Sequence, residues 1–145
     1  MNIDSILAVK GREVRTIRPE APITEAVRRM REERVGALVV SEDGRHIGGI
    51  ISDRDVVNAL ADEGVEVMSR RVRDLMTREV FTCRAEEHVS TLMGAMTNRR
   101  IRHIPVVDGD GLLAGIVSIG DVVKHRIDEI QGEAEAMREY ISGTR

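Results

Sequence analysis

The sequence predicts an α+β fold made of two pseudo-symmetric β-α-β-β-α copies, packed sheet to sheet and followed by a C-terminal helical extension. The phrase GIISDRDVV at 49–57 returns as GIVSIGDVV at 115–123, an offset of 66 residues that needs no gap between Thr16 and Asp121. Strand-like and helix-like segments also follow one another in the same order in both copies. With 145 residues, neither copy is expected to bury enough surface alone, so the two should pack together.

The first copy begins with a short β-type segment, VRTI at 14–17. A helix follows, because the apolar residues along 23–30 are spaced by four and three and lie on one face. Two apolar runs, GALVV at 36–40 and IGGIIS at 47–52, flank a polar turn that contains glycine. This pattern predicts a hairpin. A second helix is expected to begin at Ser52.

The second copy repeats this order. VFTC at 80–83 is the β-type segment, and apolar residues along 89–96 predict the helix. HIPVV at 103–107 and LLAGIVS at 112–118 predict the hairpin, and a helix should begin at Ser118. The sequence therefore predicts a segment holding the first copy (1–66), an arginine-rich linker (67–79), the second copy (80–127) and a helical tail (128–145).

The tail continues an apolar pattern that starts inside the second copy. Val123, Ile127, Ile130, Ala134, Met137 and Ile141 are spaced alternately by four and three. Such a seam is typical of a helix that packs on its own domain or on a partner helix. We interpret it as an arm that reinforces a dimer. The opening stretch 2–9 is a candidate short helix that packs against this tail.

Both copies carry the pattern S-x-x-D where the second strand meets the second helix: Ser52 with Asp55, and Ser118 with Asp121. One interpretation is a capping box that starts each helix. The other is a nucleotide site, because a helix N-terminus and a serine hydroxyl suit a phosphate. A carboxylate in the first turn can also accept hydrogen bonds from two ribose hydroxyls. Capping alone does not require a duplication, which favours the second interpretation.

Composition argues against several other classes. Aromatic residues make up 1% of the chain and the formal net charge is −3, so neither base stacking nor general binding to nucleic acid is expected. There is no long apolar run or signal peptide, and Cys83 is the sole cysteine. These features predict a cytoplasmic protein without membrane insertion. Cys83 is expected to be a buried strand residue rather than a reactive thiol, and no constellation for catalysis or metal binding is evident.

These residues resemble a known family. Four segments are similar to the motifs of tandem CBS-domain proteins (Bateman modules) of the standalone bacterial type. They are the repeated phrases GIISDRDVV and GIVSIGDVV, together with RIRHIPVVD at 100–108 and VRDLMT at 72–77. The resemblance covers the chain from Val14 to about Arg126. It implies two pseudo-symmetric clefts that take an adenine nucleotide such as AMP, ADP, ATP or NAD(H), with S-adenosylmethionine ranked lower, and no required cofactor.

The resemblance also assigns roles to residues in the two clefts. Asp55 and Asp121 would hold ribose hydroxyls, and Ser52 and Ser118 would hold phosphate or the ribose edge. The adenine would lie against the first strand of the other copy. That places Thr16 and Ile17 with the Asp121 cleft, and Thr82 and Cys83 with the Asp55 cleft.

The two clefts are expected to differ. Beside Asp121, the strand that continues through Ile104 and Pro105 begins with Arg102 and His103, which would contact a phosphate. A compact ligand such as AMP is therefore expected there.

At the Asp55 cleft, the equivalent positions are Gly36 and Ala37, which carry no charge. Arg54 could compensate, since its counterpart is Gly120. This cleft is expected to be roomier and to hold part of a larger adenine ligand, or nothing.

The resulting hypothesis is a non-catalytic regulatory module that changes conformation when an adenine nucleotide binds. It would act as a homodimer, through an effector protein in trans, because the chain encodes no effector domain. Met93, Met96, Val56 and Val57 are candidate dimer contacts. The alternative is a structural adaptor that kept the fold and lost the ligand.

Overall fold

The computed structural model describes residues 1–143, and its first copy contains every predicted element. A helix precedes this copy, and the first strand is shorter than predicted because only Thr16 and Ile17 pair with the next strand. The bounds are α1 Ile3–Lys10, β1 Thr16–Ile17, α2 Ile23–Glu33, β2 Ala37–Val40, β3 Gly49–Ser52 and α3 Asp53–Glu63.

The linker is ordered, with a 3₁₀ helix and one turn of α-helix, before the second copy repeats the first. The β-type segment again pairs at its end alone, since Cys83 and Arg84 are the residues that join the sheet. The bounds are 3₁₀ helix Val65–Ser69, α4 Val72–Leu75, β4 Cys83–Arg84, α5 Val89–Arg99, β5 His103–Val107, β6 Leu113–Ser118 and α6 Ile119–Gly143.

Each copy forms one three-stranded sheet, so the predicted α+β fold class and hairpins are confirmed. The strand orders are β1-β2-β3 and β4-β5-β6, with a parallel pair followed by an antiparallel pair in each. The registers match: Ala37 lies opposite Ser52, and His103 lies opposite Ser118. Each S-x-x-D serine therefore lies beside the start of the neighbouring strand.

The segment before each copy packs on the other half. Ile3, Ile6 and Leu7 of α1 belong to the core of the second copy, while Val72 of α4 belongs to the core of the first. Helix α1 contacts β6 and α6; the predicted short helix is thus present, and it packs at the start of α6 rather than along residues 128–143. This exchange ties the two halves together.

The glycines that open the repeated phrase are required by this packing. A Cβ on Gly49 would lie 2.7 Å from Met76 Sδ and 2.9 Å from the Thr77 carbonyl oxygen. A Cβ on Gly115 would lie 2.9 Å from Leu7 Cδ2. Both distances are too short for real contacts, so the strands accept the neighbouring segment only where no side chain is present.

Helices α2 and α5 both end at an arginine in the left-handed conformation. Arg34 and Arg100 have φ of 55°, and they occupy equivalent positions in the two copies. A non-glycine residue pays roughly 1–2 kcal/mol for this conformation. In each copy the next strand begins three residues later, at Ala37 after Arg34 and at His103 after Arg100.

Helix α6 runs without a break from the second S-x-x-D through Gly132 to Gly143. From residue 131 onward every described residue is exposed, so this part of the helix does not lie on its own domain. Among residues 1–143, every helix is too short or too polar to cross a membrane.

Two of the candidate dimer contacts are in the core. Val56 is buried in the first copy and Met96 in the second, so neither is available to a partner, and that part of the prediction is wrong. Val57 and Met93 are exposed, so both remain candidate dimer contacts. Val57 directly follows Val56, so the two side chains point to different sides of α3.

Candidate functional site

In the first copy, the S-x-x-D pattern is a capping box. The Ser52 hydroxyl accepts a hydrogen bond from the Asp55 N–H at 3.3 Å, and Asp55 Oδ2 accepts from the Ser52 N–H at 2.9 Å. The hydroxyl of Ser52 also donates to Oδ2 at 3.1 Å. Asp55 Oδ1 accepts no hydrogen bond within residues 1–143, so it keeps its capacity to accept one from a ligand.

The second copy repeats the cap and adds a cation. Asp121 Oδ2 accepts from the Ser118 N–H at 2.8 Å, and the Asp121 N–H donates to the Ser118 hydroxyl at 3.2 Å. Lys10 Nζ, at the end of α1, lies 2.6 Å from the same Oδ2 and donates to the Ile116 carbonyl at 2.7 Å. The capping interpretation is therefore correct for both motifs, and both also line a cleft between the copies.

The lysine changes the acid–base behaviour of this carboxylate. Burial alone would raise the pKa of Asp121, but the hydrogen bonds from Lys10 and from the Ser118 N–H outweigh it and hold the pKa below its ordinary value. Asp121 is thus ionised and already paired at neutral pH.

The Asp55 cleft is a cavity of about 290 Å³ between the two halves. Its walls carry Ser52 and Asp55 from the first copy, and Phe81 and the start of β5 from the second. Four arginines line it against two carboxylates, those of Asp55 and Glu79. The arginines are Arg54, Arg99, Arg100 and Arg102. This cleft therefore suits an anionic ligand.

Three of these arginines already have partners within the protein. Arg102 Nη2 lies 2.6 Å from Asp53 Oδ1, which joins the start of β5 to the start of α3. The guanidinium of Arg99 lies 4.3 Å from the centre of the Phe81 ring, a cation–π contact. Arg54, as predicted, lines this cleft, and it donates to the Arg100 carbonyl at 3.2 Å.

The Asp121 cleft is the larger one, with a volume of about 460 Å³. It is formed by Ser118 and Asp121 from the second copy and by Gly36 and Ala37 from the first. Its charged lining alternates in sign and is largely paired, as in the Arg15–Glu13 contact at 2.7 Å and the Lys10–Asp121 pair. The other charged lining residues are Arg12, Arg34 and Glu33.

The predicted asymmetry of the clefts is therefore reversed. Arg102 lies in the Asp55 cleft, and Gly36 and Ala37 lie in the Asp121 cleft. The prediction joins the start of each strand to the helix of its own copy. Around the pseudo-twofold axis, the start of β5 instead faces the first helical turn of α3, as the Arg102–Asp53 pair shows.

His103 belongs to both clefts. It contributes to the lining of each, and its ring atoms Cε1 and Nε2 lie 3.1 Å from where a Cβ on Gly36 would be. Burial and the neighbouring Arg102 lower the pKa of this imidazole. His103 therefore sits between the two clefts as a neutral side chain at neutral pH.

Several residues assigned to the adenine do not line either cleft. Ile17, Cys83 and Ile104 are buried in the two cores. Cys83 is a buried residue of β4, as predicted, and burial raises the pKa of its thiol to about 12. The residues outside both clefts are Thr16, Ile17, Thr82, Cys83, Ile104 and Pro105. Arg15 and Phe81, which directly precede Thr16 and Thr82, line the clefts instead.

Sequence reasoning missed several lining residues. Arg34 and Arg100 could have been found, because the 66-residue offset pairs one arginine with the other. Lys10 and Phe81 carried no such signal, since their positions depend on how α1 and the linker cross to the other half.

The family model for the CBS domain matches the chain twice, over residues 8–62 and 72–128. Among curated proteins, the mitochondrial CBS domain-containing protein CBSX3 of Arabidopsis thaliana is 39% identical over 125 residues. The match covers 83% of this chain and 60% of that protein. The chain therefore spans less than two thirds of this relative's length.

Solved structures give the same result. The CBS-domain containing protein ATU1752 from Agrobacterium tumefaciens is 40% identical with a TM-score of 0.83, over 87% of this chain and 99% of that one. CBSX2 in complex with AMP is 27% identical with a TM-score of 0.68, over 79% and 88% of the two chains. The CBS domain pair of protein MJ0100, in complex with 5-methylthioadenosine and S-adenosyl-L-methionine, is 25% identical with a TM-score of 0.77, over 89% and 98%.

Proposed function

Because the chain belongs to the CBS-domain family, we propose that it is a non-catalytic regulatory module that binds an adenine nucleotide between its two copies. The observation that carries the proposal is the composition of the Asp55 cleft. A carboxylate with one unpaired oxygen and a serine hydroxyl from one copy face arginines from the other. This is the set of groups that a ribose bearing a phosphate requires.

The Asp55 cleft is proposed as the primary site. Asp55 Oδ1 would accept from the ribose hydroxyls, while Arg100 and Arg102 would bind the phosphate. Phe81 offers the one aromatic face in this cleft, and an adenine stacked on it would take the place of the Arg99 guanidinium. AMP fits the volume of about 290 Å³ best, and ADP, ATP and NAD(H) require that the phosphates extend past the arginines.

The Asp121 cleft is proposed as a secondary site. It is larger, and its carboxylate is already paired with Lys10. A ligand must compete with this ion pair, so weaker binding is expected there. The larger volume of about 460 Å³ suits an extended ligand such as NAD(H) or S-adenosylmethionine.

The regulatory mechanism would be a shift between relative orientations of the two halves. A ligand in the Asp55 cleft contacts α3 of one copy and β5 of the other, so it binds best to the orientation that brings both within reach. The differential affinity of the ligand for this orientation sets the size of the response. The output would pass to an effector protein in trans, and the module would act as a cytoplasmic homodimer.

A ligand panel tests the proposal. Thermal unfolding is followed with AMP, ADP, ATP, NAD, NADH and S-adenosylmethionine for the wild type and for Asp55→Asn. The asparagine oxygen can still accept the capping hydrogen bond from the Ser52 N–H, but its amide cannot accept from ribose. A ligand at a hundred times its Kd should add roughly 2.7 kcal/mol to stability, several degrees in Tm, for the wild type and much less for the variant. If no ligand at millimolar concentration changes the Tm, the protein is the ligand-free adaptor instead.

A further inference from the structure

Helix α6 carries an exposed apolar stripe along its whole length. Successive members are separated by three or four residues and all lie within about 40° of one line along the helix at 100° per residue. The α6 stripe consists of Ile119, Val123, Ile127, Ile130, Ala134, Met137 and Ile141. Its six large side chains are between 47% and 68% exposed.

The stripe faces away from the body of the protein. Val122 is buried and His125 and Glu129 are half-buried, and these three mark the side of α6 that faces the domain. The midline of the stripe lies about 100° or more around the helix from each of them. A run of exposed isoleucine, valine and methionine this long is unusual on a protein without a partner.

The spacing of the stripe fits another helix of the same kind. From Val123 to Ile141 the intervals alternate between four and three, which is the a/d pattern of a coiled coil. Gly132 lies on the opposite side of the helix, where it does not affect an a/d contact. A second copy of this chain presents the same stripe.

The flanking charges select one orientation of two such helices. In this heptad, Glu133 is at a g position and Arg138 at the following e position. In a parallel pair, each g residue faces the e residue five positions further along the partner. Glu133 then lies beside Arg138 of the partner subunit, and the two-fold symmetry forms the same ion pair twice. Within residues 1–143 neither side chain has an ion-pair partner of its own.

An antiparallel pair that overlaps the whole stripe from Val123 to Ile141 brings like charges together. With Ile130 packed on Ala134 of the partner subunit, Glu133 faces Glu133 of the partner subunit, and Lys124 faces Arg138 of the partner subunit. These contacts are repulsive. We propose that two copies of this chain associate through a parallel coiled coil of their α6 helices, fixed in orientation by Glu133 and Arg138.

This proposal deepens the homodimer of the proposed function and names the surface that forms it. It makes the C-terminal helix the fixed axis of the assembly. The two nucleotide clefts, which lie between the halves of one chain, do not overlap this dimer surface, because no residue of the α6 stripe lines them. Nucleotide binding and dimerisation are therefore measured separately on the same chain.

Sedimentation over a range of concentrations tests the stripe. We expect the wild type to dimerise and Ile130→Asp to be monomeric, with helical content by circular dichroism unchanged because Ile130 is exposed. Asp128→Asn, about 140° around the same helix from the midline of the stripe, is the matched control and should leave the dimer intact. If the wild type stays monomeric, the proposal is overturned, and the partner of the stripe is a different protein. A dimer that survives Ile130→Asp also overturns it.

Charge exchange tests the orientation. Arg138→Glu should weaken the dimer by about tenfold or more if the helices are parallel, and Glu133→Lys should do the same. The double variant Glu133→Lys/Arg138→Glu should regain the affinity of the wild type. In the antiparallel pair, Arg138→Glu would instead strengthen the dimer through Lys124, so tighter association of this single variant overturns the orientation.

Disulfide trapping gives a second readout. In a parallel pair, a cysteine in place of Met137 should form a disulfide with the same position of the partner subunit. The wild type is the control, because its Cys83 is buried. Cross-linking of Met137→Cys only to an Ile127→Cys protein, and never to itself, overturns the parallel arrangement. AMP titration of each variant shows whether the clefts are intact, so a failure of the dimer is distinguishable from a failure of nucleotide binding.

Discussion

Lys10 and Asp121 form an ion pair, with Nζ 2.6 Å from Oδ2, whereas Asp55, at the equivalent position in the first copy, has no basic partner within residues 1–143. The two carboxylates share the same cap and the same place in their clefts. Their difference comes from α1, which crosses to the second copy and ends at Lys10. The repeat therefore contains one open carboxylate and one that is already neutralised.

Removal of this lysine should open the second cleft. In an Asp55→Asn background, Lys10→Met is expected to raise the affinity of the Asp121 cleft for AMP about two- to fivefold, because the ribose no longer competes with a partly exposed ion pair. Isothermal titration calorimetry measures the change. The matched control is Lys124→Met, which removes a nearby lysine that forms no ion pair within residues 1–143. A loss of affinity in Lys10→Met would mean that the ammonium group binds the phosphate instead.

Asp53 should limit phosphate binding in the Asp55 cleft. Its carboxylate lies 2.6 Å from the guanidinium of Arg102, so a phosphate must share this arginine with it. Asp53→Asn is expected to increase AMP affinity by about two- to fivefold, because the pair is half-exposed and worth little by itself. Asp62→Asn, at the far end of α3, removes the same charge away from the cleft. Equal gains in the two variants would attribute the effect to net charge alone.

Gly49 should tolerate no side chain. Gly49→Ala is expected to cost about 1–3 kcal/mol of unfolding free energy, because the new Cβ meets the Thr77 carbonyl and cannot be relieved by a side-chain rotation. Urea denaturation gives the change. Gly94→Ala is the matched control: no atom lies within 4 Å of its Cβ position, and in helix α5 the substitution should stabilise by about 1 kcal/mol. If Gly49→Ala leaves the free energy of unfolding unchanged, the contact between β3 and the linker at Thr77 is not tight enough to exclude a side chain.

His103 should make the protein less stable in mild acid. Its pKa is lowered by burial and by Arg102, with Lys10 acting in the same direction and Asp53 and Asp121 opposing. The unfolded chain therefore binds a proton near pH 6.5 that the folded chain resists, so stability falls as the pH drops below that value. Thermal unfolding of His103→Asn between pH 8 and pH 5 should show a smaller decline than the wild type. Parallel declines would exclude His103 as the cause.

The order of elements was predictable because it depends on local signals. Apolar spacing along 23–30 and 89–96 predicted α2 and α5, and Ser52 and Ser118 predicted where α3 and α6 begin. The repeat strengthened each assignment, because every signal occurs twice.

The contents of the clefts were not predictable from such signals. Arg102 contacts Asp53, 49 residues away in sequence, and Lys10 contacts Asp121, 111 residues away. These contacts follow from the pseudo-twofold relation between the halves and from the crossing of α1. Neither leaves a periodic pattern in the chain, so the arginine was assigned to the wrong cleft.

Calorimetric titration of AMP into the wild type, Asp55→Asn, Arg102→Gln and Asp121→Asn tests most directly whether one nucleotide bridges the two copies through Asp55 and Arg102. Loss of hydrogen bonds to a charged group costs roughly 1.5–3 kcal/mol, so Asp55→Asn and Arg102→Gln should each weaken the tighter site by about tenfold to a hundredfold. Asp121→Asn should leave that site unchanged. If Arg102→Gln and Asp121→Asn weaken the same site while Asp55→Asn has no effect, or if the wild type binds no AMP, the pairing of Asp55 with Arg102 around a nucleotide is contradicted.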